Sequence, residues 1–205
     1  MRAAGLACTV AVLATAAGVG TARADEPRVE LGIRAGLNLA SVHGDDVTIN
    51  NSSPENRVGF SGGLFAVIRV TRSFLLQPEV LYTQKGARYE AAGEEAEIKL
   101  DYVEVPVLLK GRFGSGSAKP SVFAGPAVAF KVSGKTEFQG EEEDVEDVKG
   151  TDFGIVFGAG LDLAVGSGAF TIDARYTLGL TTFSDSPDPD DVKNGVWTFS
   201  VGYAF

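Results

Sequence analysis

A single imidazole occurs in the chain, His43, with Ser41, Asp45 and Asp46 close by in sequence. Acid–base or nucleophilic catalysis needs a histidine or comparable base held against a hydroxyl or carboxylate. One histidine in a Gly-Asp-Asp stretch reads instead as a solvated loop group, so no catalytic residue and no enzyme is expected. Oxygen ligands are more plentiful. Glu141-Glu142-Glu143-Asp144-Val145-Glu146-Asp147 places six acids in seven positions, and Asp185, Asp188, Asp190 and Asp191 cluster further on. Such segments can hold Ca²⁺ or Mg²⁺, with Glu141, Glu143, Asp144, Asp188 and Asp190 as the candidate ligands. The spaced pattern of an EF-hand is missing, so a solvated acidic loop is expected and no metal or cofactor is assigned. A third group of charges recurs at alternate positions inside otherwise apolar stretches: Arg34, Arg69, Glu79, Lys85, Glu104, Lys110, Arg112, Lys131, Asp152, Asp162, Asp173 and Arg175. Seven are positive and five negative, which suits mutual ion pairing.

The elements that carry these alternating charges are strands. Eight stretches of about 11 to 16 residues alternate between two chemical classes and end in Gly, Pro, Ser, Asn or Asp clusters. They cover 30–41, 58–70, 74–87, 98–113, 120–133, 151–165, 169–180 and 194–205. Their connections also alternate. Segments 42–57, 88–97, 134–150 and 181–193 are long, whereas 71–73, 114–119 and 166–168 are short. An up-and-down meander places all long connections at one rim and all tight turns at the other. The long segments hold 18 of the 27 acids and the turns none, so one rim is strongly acidic.

Each strand divides into two faces, because successive side chains point to opposite sides. One face is free of charge throughout, for example Leu31, Ile33, Ala35, Leu37 and Leu39, or Trp197, Phe199, Val201, Tyr203 and Phe205. The other carries the twelve charges among Gly, Ala, Ser and Thr. Alternation alone does not say which face is inside. Three features favour lipid outside: every stretch exceeds the roughly 9 to 11 tilted residues needed to cross a bilayer, the charged face is rich in small residues as a narrow eight-strand lumen requires, and aromatic residues gather near the strand ends. Phe60, Phe130, Phe153 and Trp197 lie toward the long-loop rim, and Phe74, Phe113, Phe170 and Phe205 toward the turn rim. An open sheet edge in hydrocarbon would leave backbone groups unpaired, so the first and eighth strands must meet. The expected fold is an all-β, eight-stranded antiparallel up-and-down transmembrane barrel.

The N-terminal segment fits export. Arg2 precedes an apolar run from Ala3 to Val19, followed by Ala22-Arg23-Ala24 and the acidic Asp25-Glu26, the grammar of a signal peptide with a small-residue cleavage site. Residues 1–24 are expected to be a signal peptide and 25–205 one barrel domain. Cys8, the only cysteine, would leave with the leader; its surroundings lack a lipobox, with Gly5 three residues before it. Loss of Arg2 and Arg23 leaves 16 cationic side chains against 27 acidic ones, a net charge of −11 that repels nucleic acid.

The chain ends Trp197-Thr198-Phe199-Ser200-Val201-Gly202-Tyr203-Ala204-Phe205, which resembles the C-terminal signal of outer-membrane proteins read by the barrel-assembly machinery. Trp197, Phe199, Tyr203 and Phe205 carry it. Gly32-Ile33-Arg34-Ala35-Gly36-Leu37-Asn38, the segment from Leu76 to Gly86 and the segment from Leu100 to Lys110 resemble the outer-membrane β-barrel domain family often labelled PorT-like. Gly125-Pro126 and Asp173-Ala174-Arg175-Tyr176 add to the likeness, which spans about residues 30–205. The resemblance implies fold and outer-membrane location. It does not bring the secretion role behind the family's label to this chain.

Within that fold the expected function is structural or interactive. Arg34, Glu79, Lys85, Glu104, Lys110, Arg112, Asp162, Asp173 and Arg175 would fill the lumen as an ion-pair network, since buried charges are costly unless paired. Expected partners are outer-membrane lipid, lipopolysaccharide and, during biogenesis, the assembly machinery; the barrel is expected to be a monomer. Two alternatives stand beside this: loop-mediated ligand binding, including divalent cations bridging to lipopolysaccharide, and a soluble periplasmic lipocalin-like carrier.

Overall fold

The computed structural model describes residues 29–43, 57–91, 94–138, 141–144, 150–180 and 193–205. The expected leader at 1–24 and the candidate ligands Asp188 and Asp190 lie outside these residues. Nine strands are present and, among the described residues, no helix: β1 (Val29–His43), β2 (Arg57–Arg69), β3 (Phe74–Ala91), β4 (Glu94–Arg112), β5 (Ala118–Phe138), β6 (Glu141–Asp144), β7 (Thr151–Val165), β8 (Gly168–Gly179) and β9 (Lys193–Ala204). Eight of them close a barrel in the order β1-β2-β3-β4-β5-β7-β8-β9, every neighbour antiparallel. Closure runs through β1 and β9, from Gly32 opposite Ala204 to His43 opposite Lys193. The Phe205 amide adds a hydrogen bond to the Leu31 carbonyl at 2.8 Å, which carries the seam to the turn rim. No barrel strand is left with an open edge, as hydrocarbon demands.

The turn rim is built by local chemistry. Thr71 Oγ1 accepts the amides of Ser73 (3.3 Å) and Phe74 (3.0 Å), tying the β2–β3 turn to its own backbone. Gly166, at φ 61°, occupies the left-handed region in the two-residue turn between Val165 and Gly168, where a side chain would be strained.

At the opposite rim the structure differs from the sequence reading. Segment 88–97 is not a loop, because β3 and β4 continue as a hairpin to Ala91 and Glu94. Nor are 134–138 and 141–144, within the expected loop 134–150, loop residues. β5 runs on to Phe138, and β6 turns back against it, Lys135 opposite Asp144 through Phe138 opposite Glu141. Glu141, Glu143 and Asp144 therefore sit in a strand. His43 is the last residue of β1 instead of a loop residue. The acids of these strands do not prevent pairing in solvent, where charge is cheap. The register of β4 on β5 shifts between Asp101 and Tyr102, so that Val132 is an extra residue on β5 and the sidedness of the strand changes above it.

The accessible surface settles which face is inside. Leu31, Ile33 and Leu37 on β1, Leu64 on β2, Val80 on β3, Leu109 on β4, Val122 on β5, Phe157 on β7, Ile172 on β8 and Val201 on β9 are all exposed. Water-soluble monomers rarely expose more than a few hundred Å² of contiguous apolar surface, so a belt around every strand identifies lipid as its solvent. The eight rim aromatics Phe60, Phe130, Phe153, Trp197, Phe74, Phe113, Phe170 and Phe205 are exposed as well. A lipocalin-like carrier would have the opposite arrangement, and that alternative is excluded.

Candidate functional site

The enclosed face is polar. Buried groups include Arg34 and Asn38 from β1, Gln77, Glu79, Thr83 and Lys85 from β3, Glu104 and Lys110 from β4, Asp162 from β7, Asp173 and Arg175 from β8, and Thr198 and Ser200 from β9. Alternation aims each of them inward, and barrel closure brings strands far apart in sequence to face each other across the lumen.

The centre is a four-membered ion cluster. Glu79 accepts from Arg34 Nη1 through Oε1 (2.5 Å) and from Arg175 Nη1 through Oε2 (2.8 Å), and Gln77 Nε2 adds a third donor at 2.7 Å. Arg34 Nη2 also donates to Asp173, and Arg175 Nη2 approaches the same carboxylate at 3.4 Å. Two guanidiniums thus face two carboxylates, so the cluster is neutral. The planar fork of arginine suits this shared, partly bidentate bonding better than an ammonium would.

Two smaller groups lie above and below. Toward the long-loop rim Lys85 Nζ meets Glu104 Oε2 at 2.6 Å, and Asn38 Nδ2 donates to Thr83 Oγ1 (2.8 Å) while Thr198 donates to Asn38 Oδ1 (2.8 Å). Toward the turn rim Lys110 Nζ donates to Asp162 Oδ1 at 2.7 Å. Arg112 Nε lies 2.8 Å from Asp162 Oδ2, but the angle makes this an ion pair without a hydrogen bond. Arg69 does not join the interior. Its side chain is 44% exposed at the turn rim and pairs with Glu30 at 3.5 Å.

Apolar side chains share the lumen, which the sequence reading missed. Phe65 lies under the Arg34 guanidinium (5.1 Å to the ring centre), Phe123 under Arg175 (5.3 Å) and Tyr102 under Lys85 (5.4 Å). The two phenylalanines cover guanidinium faces whose edges are already hydrogen-bonded, and Tyr102 presents its ring to the Lys85 ammonium. Their strand parity was the available signal: Tyr102 is two residues from Glu104, and Phe65 is four from both Ser61 and Arg69. Among the described residues, two cavities of about 10 Å³ each open around Lys85 and Glu104, each with room for about one water.

A paired interior charge is harder to lose singly than jointly. Lys85→Met is therefore expected to destabilise the folded barrel by about 3 kcal/mol, and Lys85→Met with Glu104→Leu to regain most of that loss. Urea unfolding of the barrel refolded into lipid vesicles measures both. A double variant as unstable as the single one would contradict pairing as the source.

Of the remaining candidates, Trp197, Phe199, Tyr203 and Phe205 lie on the outer face of β9 and its end. Trp197 sits between Tyr176 (5.2 Å between ring centres) and Phe199 (6.4 Å), and Tyr203 between Phe170 (4.9 Å) and Phe205 (6.4 Å). The side chains of Glu141, Glu143 and Asp144 lie outside what the structure describes, and among the described residues no cluster of His, Cys, Asp or Glu is arranged to hold a metal.

Known proteins show the same architecture. Residues 21–185 match the family described as outer membrane protein beta-barrel domain. No curated protein matches the chain. Solved structures similar to it include Neisserial surface protein A, at 16% identity over 85% of this chain and 95% of that one with a TM-score of 0.51. They also include Ail, the attachment invasion locus protein of Yersinia pestis (21% identity, 86% and 98% coverage, TM-score 0.48), and the outer membrane enzyme PagL (18%, 85% and 98%, TM-score 0.45). At these identities the likeness is one of fold. With its edge closed, its uncharged belt turned outward and the family match extending over most of its length, this chain belongs to the outer-membrane protein β-barrel domain family and resides in the outer membrane.

Proposed function

We propose that this chain is a non-conducting outer-membrane barrel with a structural or interaction role, its lumen sealed by its own ion pairs and its acidic rim turned to the cell exterior. The Arg34–Glu79–Arg175–Asp173 cluster is the observation that carries the reading: it spans from β1 through β3 to β8 at mid-lumen, with only water-sized space beside it. An ion entering would have to break contacts among charges that cannot be left alone in a low-dielectric interior. The reading assigns no reaction, because Glu79, Glu104, Asp162 and Asp173 are each neutralised by Arg or Lys and so are poorly placed to act as bases. In planar bilayers the purified barrel is expected to give no large, stable openings. Long-lived channels of uniform conductance would overturn the sealed-lumen reading.

A second reading assigns the acidic rim to divalent cations that bridge to lipopolysaccharide. Its support is that β6 arrays four successive acids on a strand held by β5, which restricts them more than a free loop would. Calorimetric titration with Ca²⁺ is expected to give saturable heat in the full chain and none after Glu141, Glu143 and Asp144 are changed together to Gln, Gln and Asn. Absence of heat at millimolar ion removes this reading and leaves the first intact.

A further inference from the structure

One quadrant of the turn rim carries more positive charge than its acids answer. Arg112 on β4 lies beside Ser121 on β5, and one step nearer the rim Lys119 on β5, Asp162 on β7 and Thr171 on β8 are neighbours in register. Asp162 is the acid of this group and already meets two cations, Lys110 Nζ at 2.7 Å and Arg112 Nε at 2.8 Å. Lys119 shares the inward parity of Ser121 and makes no ion pair among the described residues, so three cations face one carboxylate. Deeper in, Asp173 lies over Gly160 and is answered by Arg34 and Arg175. Across the mouth Glu30 and Arg69 pair with each other, which leaves neither to balance the excess. The same quadrant holds two buried hydroxyls, Ser121 Oγ and Thr171 Oγ1, that make no hydrogen bond among the described residues. The Arg112 side chain is 14% exposed, so the group opens on the mouth of the barrel.

We propose that this quadrant binds one soluble phosphate that retains a P–OH, from the periplasmic side, where outer-membrane barrels turn their short connections. Arg112 and Lys119 supply charge-assisted donors, and the planar fork of Arg112 suits phosphate oxygens. The Ser121 and Thr171 hydroxyls supply two more donors, whose burial without a partner is costly. Asp162 Oδ2 accepts no hydrogen bond and selects among anions. Hydrogen phosphate keeps one P–OH at neutral pH to donate to it. Sulfate and a phosphodiester headgroup have none and would set bare oxygens against a carboxylate. The inward aim of these side chains also separates them from the acyl chains outside the wall, which makes a membrane lipid the poorer source. Further passage ends at the Arg34–Glu79–Arg175–Asp173 cluster, so the site is a docking place at the mouth and not a channel entrance.

N–H NMR of the full barrel in phosphatidylcholine nanodiscs, titrated with sodium phosphate at fixed pH and ionic strength, tests the proposal. Saturable shifts are expected at Arg112 Nε–H and at the amides of Ser121 and Thr171, with sulfate binding about tenfold more weakly. Lys119→Gln, which leaves Asp162 with Lys110 and Arg112, is expected to weaken phosphate about tenfold, the loss of one charge-assisted bond. Ser121→Ala is expected to weaken it about threefold, roughly one modest hydrogen bond. Heat-dependent gel migration checks that each variant folds. Shifts that never saturate mark an adventitious ion only and overturn the proposal, as do sulfate binding equal to phosphate and a phosphate affinity that Lys119→Gln leaves unmoved. Replacing part of the phosphatidylcholine with phosphatidylglycerol tests the lipid source: the same shifts without added phosphate assign the site to a headgroup and overturn the soluble ligand. Bilayer conductance bears on the sealed lumen alone, so the two ideas fail separately.

Discussion

Glu79→Ala is expected to destabilise the barrel by about 3–5 kcal/mol, the largest effect of any single interior truncation. Glu79 is fully enclosed, with its side chain at 0% exposure, and its two oxygens answer both Arg34 and Arg175. Removing it leaves two guanidiniums to share Asp173, so a net positive charge remains in a lumen with almost no room for water. The loss is therefore mainly the cost of an uncompensated charge, more than the worth of the bonds removed. Glu79→Gln keeps an acceptor and the shape but not the charge, and is expected to recover less than half of the deficit. Equilibrium urea unfolding in vesicles measures both. If Glu79→Ala unfolds at the same urea concentration as the parent barrel, the cluster is not what holds the interior together.

The next residue makes the complementary prediction. Val80 follows Glu79 on β3 and points to the other side, where it is 53% exposed. Val80→Arg is expected to cost about 2–4 kcal/mol, as for a cation near the bilayer midplane, while Val80→Leu changes little. On a water-facing strand the order would be reversed, because Arg there is harmless. An Arg variant that folds with undiminished stability in vesicles would therefore remove lipid from this face. Two adjacent residues thus separate the two solvents of the wall: one side fails when a charge is removed, the other when a charge is added.

Much of this organisation was legible along the chain. Alternation gave β3 its two faces, with Leu76, Val80 and Tyr82 on one and Glu79 and Lys85 on the other, because a strand's side-chain period is two whatever surrounds it. The unequal connections predicted which ends share a rim. The same logic was weakest above the membrane. There β3, β4 and β5 run beyond the barrel wall and β6 joins them, yet a polar, acidic stretch carries no apolar face to announce a strand. Sidedness was also lost at Val132, since a single extra residue reverses every position after it and leaves no mark in composition.

The interior partners were decided by closure. That Arg34, Glu79, Asp173 and Arg175 belong to the charged face follows from their spacing on β1, β3 and β8. That Arg34 reaches Asp173, 139 residues away, does not. Periodicity assigns a side chain to a face, but pairing across a lumen depends on strand register and on how far each strand is staggered around the barrel, which are properties of the closed sheet. The aromatic undersides of the cations, Phe65, Phe123 and Tyr102, came to light for the same reason. Strands, their two faces, the side that meets lipid and the acidic rim could all be read along the chain, because each follows from local chemistry. Which charges neutralise one another had to wait for the closed barrel, because that depends on neighbours brought together by wrapping the sheet shut.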